Sequence, residues 1–355
     1  MKLVFIDPKC PTPYDSEVLD SRGLGGTEAT VIRIARALAQ LHEVVVVQHN
    51  RKIVRQEGAR LSFLPASAVD AIVAEADHII FIQKAQDIDR IAKLSKGNGR
   101  LWVWLHNFLG GEVPFFWQDH VRHALGIICV SKTHAEHTRH YIGHHPLFWL
   151  TGSLIARGGV TYLHNPIDDL LGPTPGIVKD QHKLVFFSSP YKGIEHVLAA
   201  FKRVHTRNPE FRLVVADPGY FWKFDASSLD QPGITKVGTL PHPAVMKHVQ
   251  EALCVFYPQH KRPETFGLVY AEANALGVPV LAHDFGAARE VLVPANPPID
   301  AHDMDAVVET VLHWHQHGGP VVTAHPDFAL NKVASLWTDF LKTPDAFMRR
   351  QRGLA

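Results

Sequence analysis

The chain has 355 residues, a length that predicts two domains of ordinary size with a cleft between them. With 46% hydrophobic and 20% charged residues it is typical of a soluble globular protein, and no stretch reaches the roughly 20 apolar residues that would span a bilayer. The formal net charge of +1 excludes a general attraction to nucleic acid, so an anionic ligand would need a local site.

The apolar run in the opening MKLVFIDPKC is too short to form the apolar core of a secretory signal. The three cysteines, Cys10, Cys129 and Cys254, are far apart, and two of them lie in strand-like runs. We expect reduced, mostly buried thiols and a cytoplasmic protein.

The first half of the chain alternates short β-branched runs with helical patterns. In chain order these are KLVFI, TEATVIRIARALAQL, EVVVVQ, DHIIFI, RLWVWLH, GIICVS and KTHAEHTRHY. The alternation predicts a parallel sheet with helices on both faces.

The second half repeats the scheme with KLVFFS, IEHVLAAFKRVH, FRLVVAD, ITKVG, HPAVMKHVQEA, CVFYPQ, a helix over 266–276 and VPVLAHD. Between the halves, YLHNPIDDLLGPTPGIV carries three prolines and has no helical period, which predicts a linker near 165–180. The sequence therefore predicts an α/β protein with an N-terminal Rossmann-like domain over 1–168 and a C-terminal one over 169–330.

The segment PETFGLVYAEANALGVPVLAHD carries the most chemical information. Its predicted helix ends at Gly277, a natural residue after a helix C-terminus, and contains a single charge, Glu272, on or beside an apolar face. A buried carboxylate without partners is costly, so a group outside the helix should bind Glu272. Glu264 precedes the helix, and eight residues place the two carboxylates roughly 12 Å apart along the axis.

That separation suits a sugar at one carboxylate and a ribose at the other. The first-turn N–H groups around Phe266 and Gly267 would face a diphosphate between them. The alternative makes Glu264 a helix-start charge and Glu272 a structural hydrogen-bonding group.

Three further features are weaker when each is taken alone. Gly25 and Gly26 precede a helix without a GxGxxG pattern, and Lys192 lies near another helix start. His106 ends the strand RLWVWLH, at the carboxyl edge where open α/β sheets bind ligands. A tight turn, a solvated lysine and a loop histidine are the alternative interpretations.

The 24 histidines include His144-His145 and the group His313, His315 and His317, which raises the question of a metal site. No Cys, Asp or Glu accompanies them with ligand spacing, so we predict solvated helix histidines and no metal. The aromatic run Phe115-Phe116-Trp117 and the segment HHPLFWLTGSLIARGG permit stacking on sugars, a peripheral membrane contact, or simple core packing.

The two spaced glutamates, with Phe-Gly after the first and Ala-Leu-Gly-Val-Pro-Val after the second, resemble the signature of retaining glycosyltransferases of family 4. That family has the GT-B fold, two Rossmann-like domains whose parallel sheets face a central cleft. The similarity extends over nearly the whole chain. Its other motifs are Gly25-Gly26-Thr27-Glu28, His164-Asn165-Pro166-Ile167-Asp168 and Lys192-Gly193. The resemblance also implies a C-terminal helix, within about 331–355, that returns to the first domain.

One departure concerns the phosphate site. Family members carry a Gly-Arg pair shortly before the lysine, whereas this chain reads FFSSPYKG, with Ser188 and Ser189 near the arginine position. Arg262 and Arg289 are candidate replacements.

The resemblance implies a hexosyltransferase that moves a sugar from a UDP- or GDP-linked donor to a hydroxyl of a glycan or lipid-linked acceptor, as in polysaccharide or lipopolysaccharide synthesis. It implies retention by front-face displacement, with neither metal nor another cofactor required. His106, Glu264 and Lys192 are the predicted catalytic residues. The predicted donor-binding residues are Gly25, Gly26, Ser189, Lys192, Glu264, Thr265, Phe266, Gly267, Leu268 and Glu272.

Two other functions remain alternatives. A GT-B epimerase or hydrolase would release nucleoside diphosphate without an acceptor, and a non-catalytic protein would bind a nucleotide sugar without turnover. The aromatic segments leave the inner face of the membrane as an alternative location.

Overall fold

The computed structural model describes residues 1–97, 99–110, 117–144, 159–217 and 226–353. The strands are β1 (Lys2–Asp7), β2 (Glu43–Gln48), β3 (Arg55–Glu57), β4 (Leu61–Pro65), β5 (His78–Ile82), β6 (Arg100–Trp104), β7 (Gly126–Cys129), β8 (Val160–Tyr162), β9 (Asp180–Phe186), β10 (Arg212–Asp217), β11 (Ile234–Thr239), β12 (Ala252–Tyr257) and β13 (Val280–Ala282).

The helices are α1 (Ser16–Ser21), α2 (Gly26–Leu38), α3 (Val69–Val73), α4 (Ile88–Leu94), α5 (Trp117–His123), α6 (Lys132–Gly143), α7 (Ile194–Arg207), α8 (His242–Gln250), α9 (Leu268–Ala275), α10 (Ala288–Val291), α11 (Met304–His317), α12 (Leu330–Lys342) and α13 (Pro344–Gln351). Strands and helices alternate through both halves, as the periodicity predicts.

The chain divides into two compact units. The first comprises Met1–Asp15, Thr30–Pro166 and Leu330–Ala355, and the second comprises Ser16–Ala29 and Ile167–Ala329. Residues 16–29, which the sequence analysis assigned to the N-terminal domain, thus cluster with the second unit, and the division falls inside α2.

The first unit is built on an eight-stranded sheet in the order β3-β4-β2-β1-β5-β6-β7-β8. All pairs are parallel except β3 with β4. Every residue of β5 is buried, as expected of a parallel strand covered on both faces. Helix α12 adds Trp337 to this core, where its ring packs edge-on against Trp104 with ring centres 4.7 Å apart.

The second unit has a five-stranded parallel sheet in the order β11-β10-β9-β12-β13. The chain starts in the middle at β9, moves outwards to β11 and then returns to the other side through β12. Open α/β sheets bind ligands outside the carboxyl ends of the strands where the order reverses, which here is between β9 and β12. The prediction of an α/β fold with parallel sheets is confirmed in both units.

Candidate functional site

The carboxyl ends of β9 and β12 bring together residues that are far apart in the sequence. The two strands are paired in parallel, with Val185 opposite Val255. Just beyond them the Ser188 hydroxyl lies 3.1 Å from the Tyr257 hydroxyl. The Ser188 and Tyr257 side chains therefore meet where the strand order of the second sheet reverses, and both are buried.

Glu264 is the centre of this polar group. Its Oε1 accepts a hydrogen bond of 2.6 Å from the Tyr257 hydroxyl, which leaves the Ser188 hydroxyl to donate to the tyrosine oxygen. The Lys192 ammonium lies 2.7 Å from each carboxylate oxygen of Glu264. The side chain of Glu264 is 7% exposed and that of Lys192 is 25% exposed, so the carboxylate is enclosed.

The electrostatics of this site fix the protonation states of Lys192 and Tyr257. Burial alone would lower the pKa of Lys192, but the charge and hydrogen bonds of Glu264 outweigh it, and the pKa is raised above its usual value. Burial and the same carboxylate raise the pKa of Tyr257 well above its usual range. Lys192 is therefore a permanent cation and Tyr257 a permanent hydrogen-bond donor at neutral pH.

A tight backbone turn positions Lys192. The 3₁₀ turn Pro190–Lys192 follows Ser189, whose carbonyl accepts a hydrogen bond from the Lys192 N–H. Gly193 then adopts a φ of 116° and starts α7. A Cβ at this position would approach Lys261, His196 and Gln259 to within 3.1 to 3.3 Å, so only glycine suits the turn.

A second glycine positions Glu264 relative to α9. Gly267 has a φ of 87°, outside the right-handed helical region, so the helix starts at Leu268 and not at residue 266 as predicted. A Cβ on Gly267 would lie 2.6 Å from the Tyr270 ring and 3.3 Å from Glu264. Gly277 has a φ of 71° after the helix, which confirms its predicted role.

The N-terminus of α9 meets the Gly25-Gly26 segment within the second unit. No side-chain hydrogen bond caps α9 in the described structure, and Thr265 and Phe266 immediately precede the Gly267 cap. Gly26 opens α2, and a Cβ on it would lie 3.1 Å from the side chain of Leu268. The predicted donor-binding residues at these two positions are thus close together.

Glu272 has the external partner that its burial requires. Its Oε1 lies 2.9 Å from Nε2 of His242, the first residue of α8. Glu272 is 5% exposed, and it is one of the buried residues of α9. The sequence pattern predicted that such a partner must exist but did not identify it, because nothing local connects His242 to a helix that starts 26 residues later.

Ser188 and Ser189 do not replace the family's arginine as cations. Ser188 binds Tyr257, and Ser189 is buried at the start of the Lys192 turn. Among the two candidate replacements, the Arg262 guanidinium lies 5.3 Å from the centre of the Tyr191 ring, in the turn that carries Lys192. Arg289 pairs with Asp284.

His106 belongs to the first unit and is 7% exposed. Its backbone N–H donates to the Gln83 side-chain oxygen at 3.1 Å, and its ring packs against Trp104 with ring centres 4.7 Å apart. Burial, and then the neighbouring His134, lower the pKa of His106 to about 3. Any role of His106 at neutral pH is therefore that of an uncharged imidazole.

The histidines outside this site differ in their surroundings. The rings of His313 and His317 stack on α11 with centres 4.5 Å apart, and His317 is exposed. Among the described residues, one group of three His, Cys, Asp or Glu side chains has potential ligand atoms within 4.8 Å of one another, and it consists of His283, Asp300 and His302. Two parts of the predicted aromatic segments lie outside the described residues: Phe115 with Phe116, and residues 145–158.

No described helix is both long enough and apolar enough to cross a membrane.

Residues 176–317 match the family model described as Glycosyl transferases group 1. No curated protein matches the sequence. Solved structures match the fold. Anabaena HepE, in a structure with UDP and glucose, is 17% identical with a TM-score of 0.68, over 97% of this chain and 100% of that chain.

A glycosyltransferase involved in avilamycin A biosynthesis is also 17% identical, with a TM-score of 0.62 over 97% of this chain and 98% of that chain. The sucrose-phosphate synthase of Thermosynechococcus elongatus is 15% identical, with a TM-score of 0.62 over 99% of this chain and 98% of that chain. Residues 176–317, within the second unit, therefore match the glycosyl transferases group 1 family model, and the chain has the GT-B fold of these solved structures.

Proposed function

We propose that the protein is a glycosyltransferase that takes a hexose from a UDP- or GDP-linked donor and transfers it, with retention, to a hydroxyl of a glycan or lipid-linked acceptor. The observation that carries the proposal is the Lys192–Glu264 pair beyond the carboxyl ends of β9 and β12, beside the N-terminus of α9. A permanent cation next to a helix N-terminus suits a diphosphate. HepE, whose structures contain UDP or UDP-glucose, supports a nucleotide-sugar donor.

The leaving diphosphate is the group that needs stabilisation. In front-face displacement the bond from the anomeric carbon to the diphosphate oxygen breaks, and the acceptor oxygen forms its bond on the same face. The acceptor's proton moves to the departing diphosphate. Lys192 and the backbone amides of Leu268 and Val269 at the start of α9 oppose the negative charge that develops there, which is the main contribution expected of the protein.

Glu264 has two tasks in this proposal. Its carboxylate fixes the Lys192 ammonium through two contacts of 2.7 Å, and it accepts hydrogen bonds from the donor sugar hydroxyls. Tyr257 and Ser188 hold the carboxylate from the side of the sheet. The pair needs no metal ion to bind a diphosphate, since the ammonium and the helix N-terminus supply positive charge.

Glu272 binds the ribose hydroxyls, and His242 fixes its orientation. His106 retains its assignment to the donor sugar from the family resemblance, as a neutral hydrogen-bonding group. The proposal of a glycan or lipid-linked acceptor rests on the family resemblance. The proposal that the protein contacts the cytoplasmic face of a membrane rests on the aromatic segments.

Thermal unfolding with UDP-, GDP- and ADP-sugars tests the donor site. We expect one nucleotide class to raise the unfolding midpoint of the wild type and to have no effect on Glu272→Ala. The matched control is Glu309→Ala, which removes an exposed glutamate from the same unit and should respond as the wild type does. Equal shifts in all three proteins would contradict the ribose assignment.

Turnover separates the proposed reaction from its alternatives. Mass spectrometry of reactions with a panel of lipid-linked glycans should detect a sugar-extended acceptor, whose anomeric configuration NMR then determines. Release of nucleoside diphosphate at the same rate without acceptor would indicate an epimerase or hydrolase. Donor binding without either product would indicate a non-catalytic protein.

A further inference from the structure

We propose that His283, Asp300 and His302 form a binding site for one transition-metal ion of the zinc type. All three lie in the second unit, outside the residues assigned to the nucleotide sugar. They come from two segments: the end of β13 and the loop before α11.

The backbone holds two of these segments together. His283 and Ile299 form a parallel bridge, the Asp284 N–H donates to the Ile299 carbonyl at 2.8 Å, and the Ile299 N–H donates to the Ala282 carbonyl at 2.9 Å. Asp300 follows directly, and its Oδ1 accepts the His302 N–H at 3.0 Å. The positions of His283, Asp300 and His302 are thus fixed before any ion binds.

The potential donor atoms of these three side chains lie close to one another. One ligand atom from each of His283, Asp300 and His302 lies within 4.8 Å of the other two, and His283 Nδ1 is 3.7 Å from Asp300 Oδ1. Two imidazoles on one tetrahedral zinc, with Zn–N bonds of about 2.0–2.1 Å, have ring centres about 5 Å apart. The ring centres of His283 and His302 are 4.9 Å apart.

His260 lies next to these three residues but is not counted as a ligand. Its ring centre lies 4.1 Å from that of His302 and 5.9 Å from that of His283, and neither distance matches the spacing of about 5 Å on a tetrahedral zinc. Water can complete the coordination of the three ligands, as it does at zinc sites with an open position.

The charges around the cluster do not oppose a cation. Lys261, the nearest lysine in sequence, pairs with Glu195, and Arg289 pairs with Asp284. Two imidazole nitrogens and one carboxylate favour zinc, copper, nickel or cobalt, because magnesium and calcium prefer oxygen ligands.

Binding has a cost at His283. Its Nδ1 accepts a hydrogen bond of 3.0 Å from the Ala301 N–H, and a neutral imidazole has one nitrogen lone pair. The ion must replace that hydrogen bond, so we expect an affinity well below that of a closed structural zinc site. An occupied site would link the end of β13 with the loop before α11.

Metal titration of the full chain, purified without a histidine tag and treated with a chelator, tests the site. We expect one equivalent of Zn²⁺ to bind by calorimetry, and Co²⁺ to give the visible absorption of a tetrahedral complex. His302→Ala should raise the dissociation constant by about tenfold or more, as should Asp300→Asn. His302 and Asp300 are exposed, so neither substitution should prevent folding.

The matched control is the double variant His313→Ala/His317→Ala, which removes two stacked imidazoles from α11 and should bind as the wild type does. The proposal is overturned if no saturable binding is found, if His302→Ala binds as tightly as the wild type, or if only the control variant loses binding. No nucleotide sugar takes part, so these outcomes are independent of the proposed transferase activity.

Discussion

Replacing Lys192 by methionine should destabilise the second unit, because it leaves the Glu264 carboxylate buried without its cation. Removing one partner of a buried ion pair costs about 3–5 kcal/mol. The Tyr257 hydroxyl still donates to Glu264, and the Lys192 side chain is 25% exposed in the intact protein. We therefore expect a loss of about 2–3 kcal/mol in the free energy of unfolding.

A double-mutant cycle isolates the interaction itself. Glu264→Gln keeps the shape of the side chain, and its amide oxygen can still accept a hydrogen bond from Lys192, so it should cost about 1–2 kcal/mol. The double variant Lys192→Met/Glu264→Gln buries no unpaired charge, and we expect its loss to be smaller than the sum of the single losses by about 2 kcal/mol.

Urea unfolding of the ligand-free protein at neutral pH provides the four free energies. Lys236→Met is the matched control, since this lysine pairs with Asp230 on the surface and should change stability by less than about 0.5 kcal/mol. Additive losses at Lys192 and Glu264 would refute the coupling on which the proposed diphosphate site depends.

Three other substitutions test neighbouring parts of the structure. Tyr257→Phe should cost about 1–3 kcal/mol in urea unfolding and lower kcat/KM, because Glu264 loses a hydrogen bond of 2.6 Å; an unchanged kcat/KM would argue against a positioning role. Gly267→Ala should cost about 1–3 kcal/mol, since its φ is 87° and the new Cβ would meet the Tyr270 ring; a neutral result would show that the turn adapts. His106 has a folded pKa of about 3, below its usual 6.5, so the unfolded chain binds a proton first and stability falls as pH drops through this window. Between about pH 7 and 5 the wild type should lose about 2 kcal/mol more than His106→Gln, and parallel pH curves would contradict the buried neutral imidazole.

The sequence determined the architecture because its information is local and periodic. Buried parallel strands read as continuous apolar runs such as EVVVVQ, and the helices between them show their own period, so the α/β fold follows from neighbours along the chain. The same local reasoning found that Glu272 needs an external partner and that Gly277 ends its helix.

The tertiary structure decided which distant residues meet. Lys192 is 72 residues from Glu264 in the sequence, and only the order reversal between β9 and β12 brings the two side chains within hydrogen-bonding distance. His242 and the cluster around His283 were likewise beyond prediction, because contacts between segments leave no periodic trace in either one. The sequence alone indicates which groups require partners, and the packing of the sheet selects those partners.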